Sequence, residues 1–502
     1  MQTARLALAA ALLAATTLGA AAQDLRIGLQ EDPDVLDPDQ SRTFVGRIVY
    51  AALCDKLVDI TPSLEIVPML ATGWEWSADG LQLTMTLRDD VVFHDGEPFN
   101  AEAVAYNIDR SLNLPESRRK SEVASIAGTE VIDDHTIRID LTAPDATLLS
   151  QLSDRAGMMI SPAAAEAAGA DFGANPVCSG PFTFVERIQQ DRIVLARFAD
   201  YYDADAIGFD RVIYLPIPDT TVRLANLRSG DLDLIERVAE TDYASASGDA
   251  NLTTADVVSL GYQAITVNVG NGERSQTPFG QDARVRQAFS LALDREIISQ
   301  VVFEGIAAPG NQPVPPGGIW YDANFPVPAR DVEAARALLA EAGLDRVPVE
   351  FQVANTPVQM QLMQVIQSMV LEAGFDVTIT AKEFATLLED QTAGAYQASQ
   401  IGWSGRVDPD GNIHQFVTCE GGINDAKYCN AEVDTLLNEA RVSNDQAVRK
   451  ANYDAATAIL NEDLPLIYLY HPRWLWAFGN KVSGFVPYPD GMIRLQGVSF
   501  AD

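Results

Sequence analysis

Four cysteines, four histidines and one Ser-x-x-Lys quartet are the residues whose types and spacing could carry chemistry, and few of them assemble. Ser117-Arg118-Arg119-Lys120 has the spacing at which a lysine can activate a serine. The Ser-Asp-Asn and Lys-Thr-Gly elements that complete such a site are absent and Pro115 breaks the local pattern, so a solvated basic face is the simpler reading. His94, His135, His414 and His471 lack the short spacings that bring imidazoles to one metal ion. No Gly-x-Ser-x-Gly elbow, Gly-x-x-x-x-Gly-Lys phosphate loop or His-Glu-x-x-His pair occurs, and no cofactor signature is present. A hydrolase acting on peptides needs a nucleophile beside a base, and none can be named. The cysteines lack the Cys-x-x-Cys spacing of redox and zinc sites. Cys419 and Cys429 bracket a segment in which Gly421-Gly422 lets the chain turn back, so a bridge there would staple a loop; Cys54 and Cys178 remain, and pairing them would join distant segments.

The surrounding chain sets the compartment. Arg5 is followed by an apolar run from Leu6 to Leu18 and by small residues at Ala20 and Ala22, which together read as a secretory signal peptide over 1–22, cleaved after Ala22. The run is shorter than the roughly 20 apolar residues of a membrane span, and no cysteine at the cleavage site could take a lipid. A soluble periplasmic protein is expected, in an oxidising space where an even number of cysteines reads as disulfides. Its 502 residues are too many for one core, and 47% hydrophobic content can fill two or three. A formal charge of −35 excludes nucleic acid and anionic membrane surfaces as partners.

The elements that must position a site alternate. Leu25 to Leu29 reads as a strand that breaks at an acidic, proline-containing stretch. Leu81, Leu83, Met85 and Leu87 share one face of another strand, and Asn100 is a credible N-cap for the helix that follows. Thr136 to Leu141, Val349 to Val353 and Asp376 to Thr380 read as strands. Asp282 opens a long helix closed by Gly305, and further helices run from Asp331 to Gly343 and from Thr356 to Glu372. This is an α/β pattern.

One segment is far more specific. Ala71-Thr-Gly-Trp-Glu-Trp-Ser-Ala-Asp-Gly leads through a strand into Leu87-Arg-Asp-Asp-Val-Val-Phe-His-Asp-Gly-Glu-Pro-Phe-Asn-Ala-Glu, a strand hairpin with an Asp95-Gly96 turn and a helix start. It resembles the signature of the family 5 extracellular solute-binding proteins, the peptide and nickel binders of ABC importers. Asn175-Pro-Val-Cys-Ser-Gly-Pro-Phe, the stretch Ile217 to Leu234 and Asp282-Ala-Arg-Val-Arg-Gln-Ala-Phe continue the resemblance along nearly the whole mature chain.

The resemblance implies a two-lobed periplasmic binding protein of the large, three-domain type, which closes on a peptide-like solute and delivers it to an inner-membrane permease. It maps a first lobe to 23–57, 172–268 and 481–502, a smaller inserted domain to 58–171 and a second lobe to 269–480, with hinge crossovers near Asn268 and Lys481. In the loop Gly402-Trp-Ser-Gly-Arg-Val-Asp-Pro, it assigns Asp408 to a ligand ammonium, with a turn cap as the alternative role, and Trp403 and Ser404 to the ligand. The arginine with which dipeptide binders of the family clamp a carboxylate is missing from Val353-Ala-Asn-Thr-Pro-Val-Gln-Met. Arg406 could replace it or be an exposed loop residue. Cys178 and Ser179 stand in a loop expected to face the cleft, with a Cys54–Cys178 bridge as the expected pairing. Tyr262 and Asn268 line the cleft or pack the hinge. His414 is either structural or the mark of a metal-chelate ligand, as in the family's nickel binders.

Overall fold

The computed structural model describes residues 23–41, 43–382 and 384–501; the expected signal peptide lies outside the described residues. Two large sheets dominate. In the first, the strand order is Leu252–Val258, Arg473–Gly479, Leu234–Ile235, Asp24–Leu29, Arg211–Pro216, Arg192–Arg197, Phe182–Ile188. The Asp24–Leu29 strand pairs in parallel with both of its neighbours, and Leu25, Ile27 and Leu29 are fully buried beneath the helix Phe44–Leu53. Thr43 caps that helix by accepting a hydrogen bond from Gly46 N.

The second sheet runs Ala308–Pro309, Leu466–His471, Tyr262–Val267, Ala398–Trp403, Val347–Ala354, Phe375–Lys382. Helices cover both its faces, so residues of either parity are buried along Tyr262–Val267: Ile265 and Val267 meet one core, Tyr262 and Ala264 the other. The single helix expected from Asp282 to Gly305 is two helices, Ala283–Leu291 and Arg295–Phe303. Asp294 turns out of helical geometry and caps the second by accepting from Ile297 N, a local competition that apolar spacing alone does not reveal. A smaller antiparallel sheet, ordered Ala71–Trp76, Gln82–Leu87, Thr136–Leu141, Ile126–Asp133, packs on the helix Ala101–Asn113, which Asn100 caps as expected.

The chain passes from the first large sheet to the second between Val258 and Tyr262, and returns between His471 and Arg473. The crossovers expected near Asn268 and Lys481 are therefore displaced. Asn268 ends the second-sheet strand at its far side, and Lys481 follows the strand Arg473–Gly479 and pairs with Asp233 at 2.6 Å. The change of sheet falls inside apparently continuous strand patterns; at the return it is forced by Pro472, which has no N–H to continue a ladder. The two crossovers are bonded to each other. Ser259 N donates to Pro472 O at 2.9 Å, and His471 Nδ1 donates to Gly261 O at 2.7 Å. Gly261 is required there, because a Cβ would stand 2.3 Å from Trp403 O.

Both cysteine pairs are bonded, Cys54 with Cys178 and Cys419 with Cys429, across sequence separations of 124 and 10 residues. Closing the longer loop removes more unfolded-chain freedom, about 5 against about 3 kcal/mol. A Cys54→Ala/Cys178→Ala variant should therefore melt at a lower temperature than Cys419→Ala/Cys429→Ala in parallel thermal unfolding; the reverse order would contradict the loop-closure account.

Candidate functional site

A cavity of about 670 Å³ opens between the two large sheets at the crossovers. From the first sheet come Gln30, immediately after Asp24–Leu29, Arg237, just past Leu234–Ile235, and Trp474; from the second come Gln263, Gln400, Trp403, Ser404 and, after Val347–Ala354, Thr356. Several of these follow the carboxyl ends of parallel-paired strands, where open α/β sheets place their ligand sites.

The first-sheet wall is aromatic and cationic. Phe44 and Trp474 stack with ring centroids 4.6 Å apart, and Trp474 Nε1 is anchored on Pro489 O at 2.9 Å. The Arg237 guanidinium lies 4.7 Å from the Phe44 centroid and 5.2 Å from that of Trp474. Its Nη1 donates to Gln30 Oε1 at 3.0 Å, and its Nε stands 3.3 Å from Glu236 Oε2. Glu236 is 2% exposed, and that burial raises its carboxyl pKa against the pull of Arg237 and Arg223. On the opposite wall Gln400 Nε2 donates to Gln263 Oε1 at 2.8 Å, and buried Gln359 Oε1 has no hydrogen-bond partner among the described residues. Among the described residues the lining holds amides, hydroxyls, indole rings and the charged Arg237, Glu240 and Arg473, but neither histidine nor cysteine. It is built to stack and hydrogen-bond a solute.

Of the residues singled out in the sequence, Trp403 and Ser404 line this cavity. Trp403 Nε1 donates to Asn412 Oδ1, which also accepts from Arg406 N, so one asparagine holds the whole loop. Arg406 stacks on Trp403 at 4.6 Å and donates to Gly405 O, outside the main cavity, in a narrow crevice with Arg47 and Asp154. Asp408 corrects its expected role: both its oxygens are taken by Arg449, at 2.6 and 2.8 Å, and it is 7% exposed and off the cavity. The chain turns at Gly405, with φ +85°, and carries Asp408 beneath the loop, where it also accepts from Asp410 N as a turn cap does.

Tyr262 faces the other side of the sheet, onto a separate cavity of about 280 Å³. Asn268 is buried in a turn, donating to Asn271 O and Tyr396 O. Cys178 and Ser179 are enclosed in protein, one in its disulfide and the other bonded to Met159 O, so neither faces the cleft. His414 bonds Asn438 Oδ1 at 2.8 Å, away from the cavity, and so favours its structural role. Ser117 and Arg119 turn inward to Ser111 O and Ser41 O, leaving Arg118 and Lys120 as the exposed part of the expected basic face. Sequence reasoning missed Arg237, Gln30, Gln400 and Trp474; the strand-end rule was the available signal for the first two.

Two lobes joined by adjacent crossovers and enclosing a polar, aromatic-walled cavity define a periplasmic-binding-protein fold. The chain belongs to the bacterial extracellular solute-binding proteins, family 5, whose model, described as the family 5 Middle, matches residues 65–424. The glutathione-binding protein GsiB of Pectobacterium atrosepticum is 28% identical over 496 residues, covering 96% of this chain and 95% of its own. HbpA2 of Haemophilus parasuis superposes with a TM-score of 0.85 at 24% identity, over 95% of this chain and all of that one. AgaA of A. tumefaciens R10, solved with agropinic acid, superposes at 0.77 with 25% identity, over 95% and 99%.

Two outcomes follow from this geometry. Removing one partner of a buried pair strands the other charge, so Asp408→Asn should cost about 3–5 kcal/mol of stability in chemical unfolding; a loss under 1 kcal/mol would reopen the carboxylate to other roles. Burial pushes the His471 pKa down to about 4, against 6.5 in the unfolded chain. Its contribution is therefore full above pH 6.5 and lost as pH falls towards 4, on the order of 3 kcal/mol. Unfolding curves of His471→Gln should decline less steeply than wild type over that range, with a residual slope from His94, which is likewise pushed down to about 4.

Proposed function

We propose that this protein is the exported, periplasmic solute-binding component of an ABC importer, taking a peptide-like ligand into the cleft between its lobes and presenting the closed form to the membrane permease. The observation that carries the reading is the 670 Å³ cavity at the crossovers, within the size range of small-ligand sites and walled by Trp403 and Trp474 with amides between them. A ligand held there touches both lobes, so its binding energy favours closure by as much as it prefers the closed state. Away from the cavity, bonds already join the second lobe to the smaller inserted domain: Asp408 N donates to Ser150 Oγ at 3.1 Å and Ala146 N to Arg441 O at 2.9 Å. The lobes hinge at 258–262 and 471–473. The glutathione-binding relatives support a peptide-like ligand of about three residues. Trp403, Ser404, Gln400, Trp474 and Arg237 are the proposed contacts.

Native mass spectrometry of the protein isolated from its own periplasm, followed by denaturation, should release a peptide or amino-acid conjugate. Trp403→Ala and Trp474→Ala should each weaken its rebinding about tenfold, the loss of roughly 1.4 kcal/mol of stacking. Release of an uncharged sugar or a metal chelate would sink the peptide reading.

A further inference from the structure

We infer that Arg237 receives a carboxylate of the ligand, so that the cleft of this strongly acidic protein selects acidic peptide-like solutes; the inference rests on the binding reading above. The first ground is a local charge balance. Arg237 and Arg223 share the single buried carboxylate of Glu236. Arg223 is itself buried and donates to the carbonyls of Ile217, Pro218 and Arg237, not to a carboxylate. Arg237 therefore has only a shared counter-charge, 3.3 Å from its Nε.

The other charges lining the cavity are Arg473 and Glu240, and Glu240 offsets one of the guanidiniums. Arg473 is paired with Asp256. Glu240 stands in the first turn of the helix Glu240–Ser247, where the N-terminal end of the helix dipole favours its charge. That helix begins after Ala239, which has no capping side chain, and the longer helix Pro357–Leu371 also begins at the cavity, whereas the N-terminus of Thr220–Ser229 is already capped by the Asp219 carboxylate.

The second ground is geometry. Contacts with Phe44 and Trp474 restrict the Arg237 guanidinium, and Gln30 takes Nη1. Among the described residues that is its one hydrogen bond, and the side chain remains 30% exposed. Nε is buried beside Glu236, so Nη2 and the second hydrogen of Nη1 are the donors left for a carboxylate, which the planar fork can meet at two points. Arg237 thus supplies, from the first lobe, the clamp missing from 353–360 in the second. In a protein of overall charge −35, an anion needs such a fixed donor to be held against the surrounding field.

The test uses quenching of tryptophan fluorescence in the full mature chain, titrated with tripeptides of acidic, neutral and basic composition, reduced glutathione among them, each with free and methyl-esterified carboxyls. An acidic tripeptide should bind most tightly, and esterification should weaken it by about 10- to 100-fold. In Arg237→Gln the acid should weaken by a similar factor and the acid-to-ester difference should collapse, with Arg237→Lys retaining part of it; equal melting temperatures separate this from misfolding. Wild type binding ester or basic tripeptide as tightly as acid, or Arg237→Gln keeping the discrimination, would overturn the inference while leaving the binding role intact. If no tripeptide of any charge binds, the peptide-binding reading falls and the inference with it.

Discussion

His471 donates from Nδ1 to the carbonyl of Gly261, and Ser259 N donates to that of Pro472, so the two strands that change sheets are bonded to each other at the point of change. The site depends on this junction. Trp474 lies two residues beyond Pro472, and the carbonyl of Trp403 passes so close to Gly261 that a methyl group there would have no room. Two of the aromatic groups that wall the cavity are therefore positioned by the same few residues that connect the lobes. A change in their relative orientation re-aims both walls about a shared pivot instead of loosening either. The burial that keeps His471 neutral also keeps the pivot dry, which strengthens its hydrogen bonds.

Away from the cavity, charge is used in closed pairs. Asp408 is taken by Arg449, Asp37 and Asp39 by Arg110, and Asp59 and Asp490 by Arg494. All but Asp490–Arg494, four residues apart, join segments distant in sequence, and each arginine is largely buried. Such pairs specify which loop lies where more than they add stability, because desolvation offsets much of their attraction. Against that background Arg237 is unusual. It shares its carboxylate with a second arginine and lines the cleft.

The fold was largely legible because its signals are local. Alternation marked Gln82–Leu87 and Thr136–Leu141, and Asn100 and Asp331 capped the helices they precede. The hinge was not, because a strand that changes sheet keeps its pattern, and only Pro472 hints that a ladder ends. The site was legible in part. The loop motif led to Trp403 and Ser404, but its spacing could not show that Arg449, 41 residues further on, would take Asp408. Arg237 sits in an undistinguished stretch, Leu234-Ile-Glu-Arg-Val, and its significance comes from Phe44 and Trp474, which lie almost at opposite ends of the chain.

The strand Arg473–Gly479 sits inside the first sheet, between Leu252–Val258 and Leu234–Ile235, although it is nearly the last element in the chain. Until it arrives, Leu252–Val258 has no partner, and the first lobe holds an unfilled slot lined with unsatisfied peptide groups. The second sheet, by contrast, draws all its strands from one continuous stretch, 262–471. A chain emerging with its N-terminus leading can thus assemble its later lobe before its earlier one is complete. The first lobe stays incomplete until residues 473–479 join it, so its folding cannot finish before nearly the whole polypeptide is present.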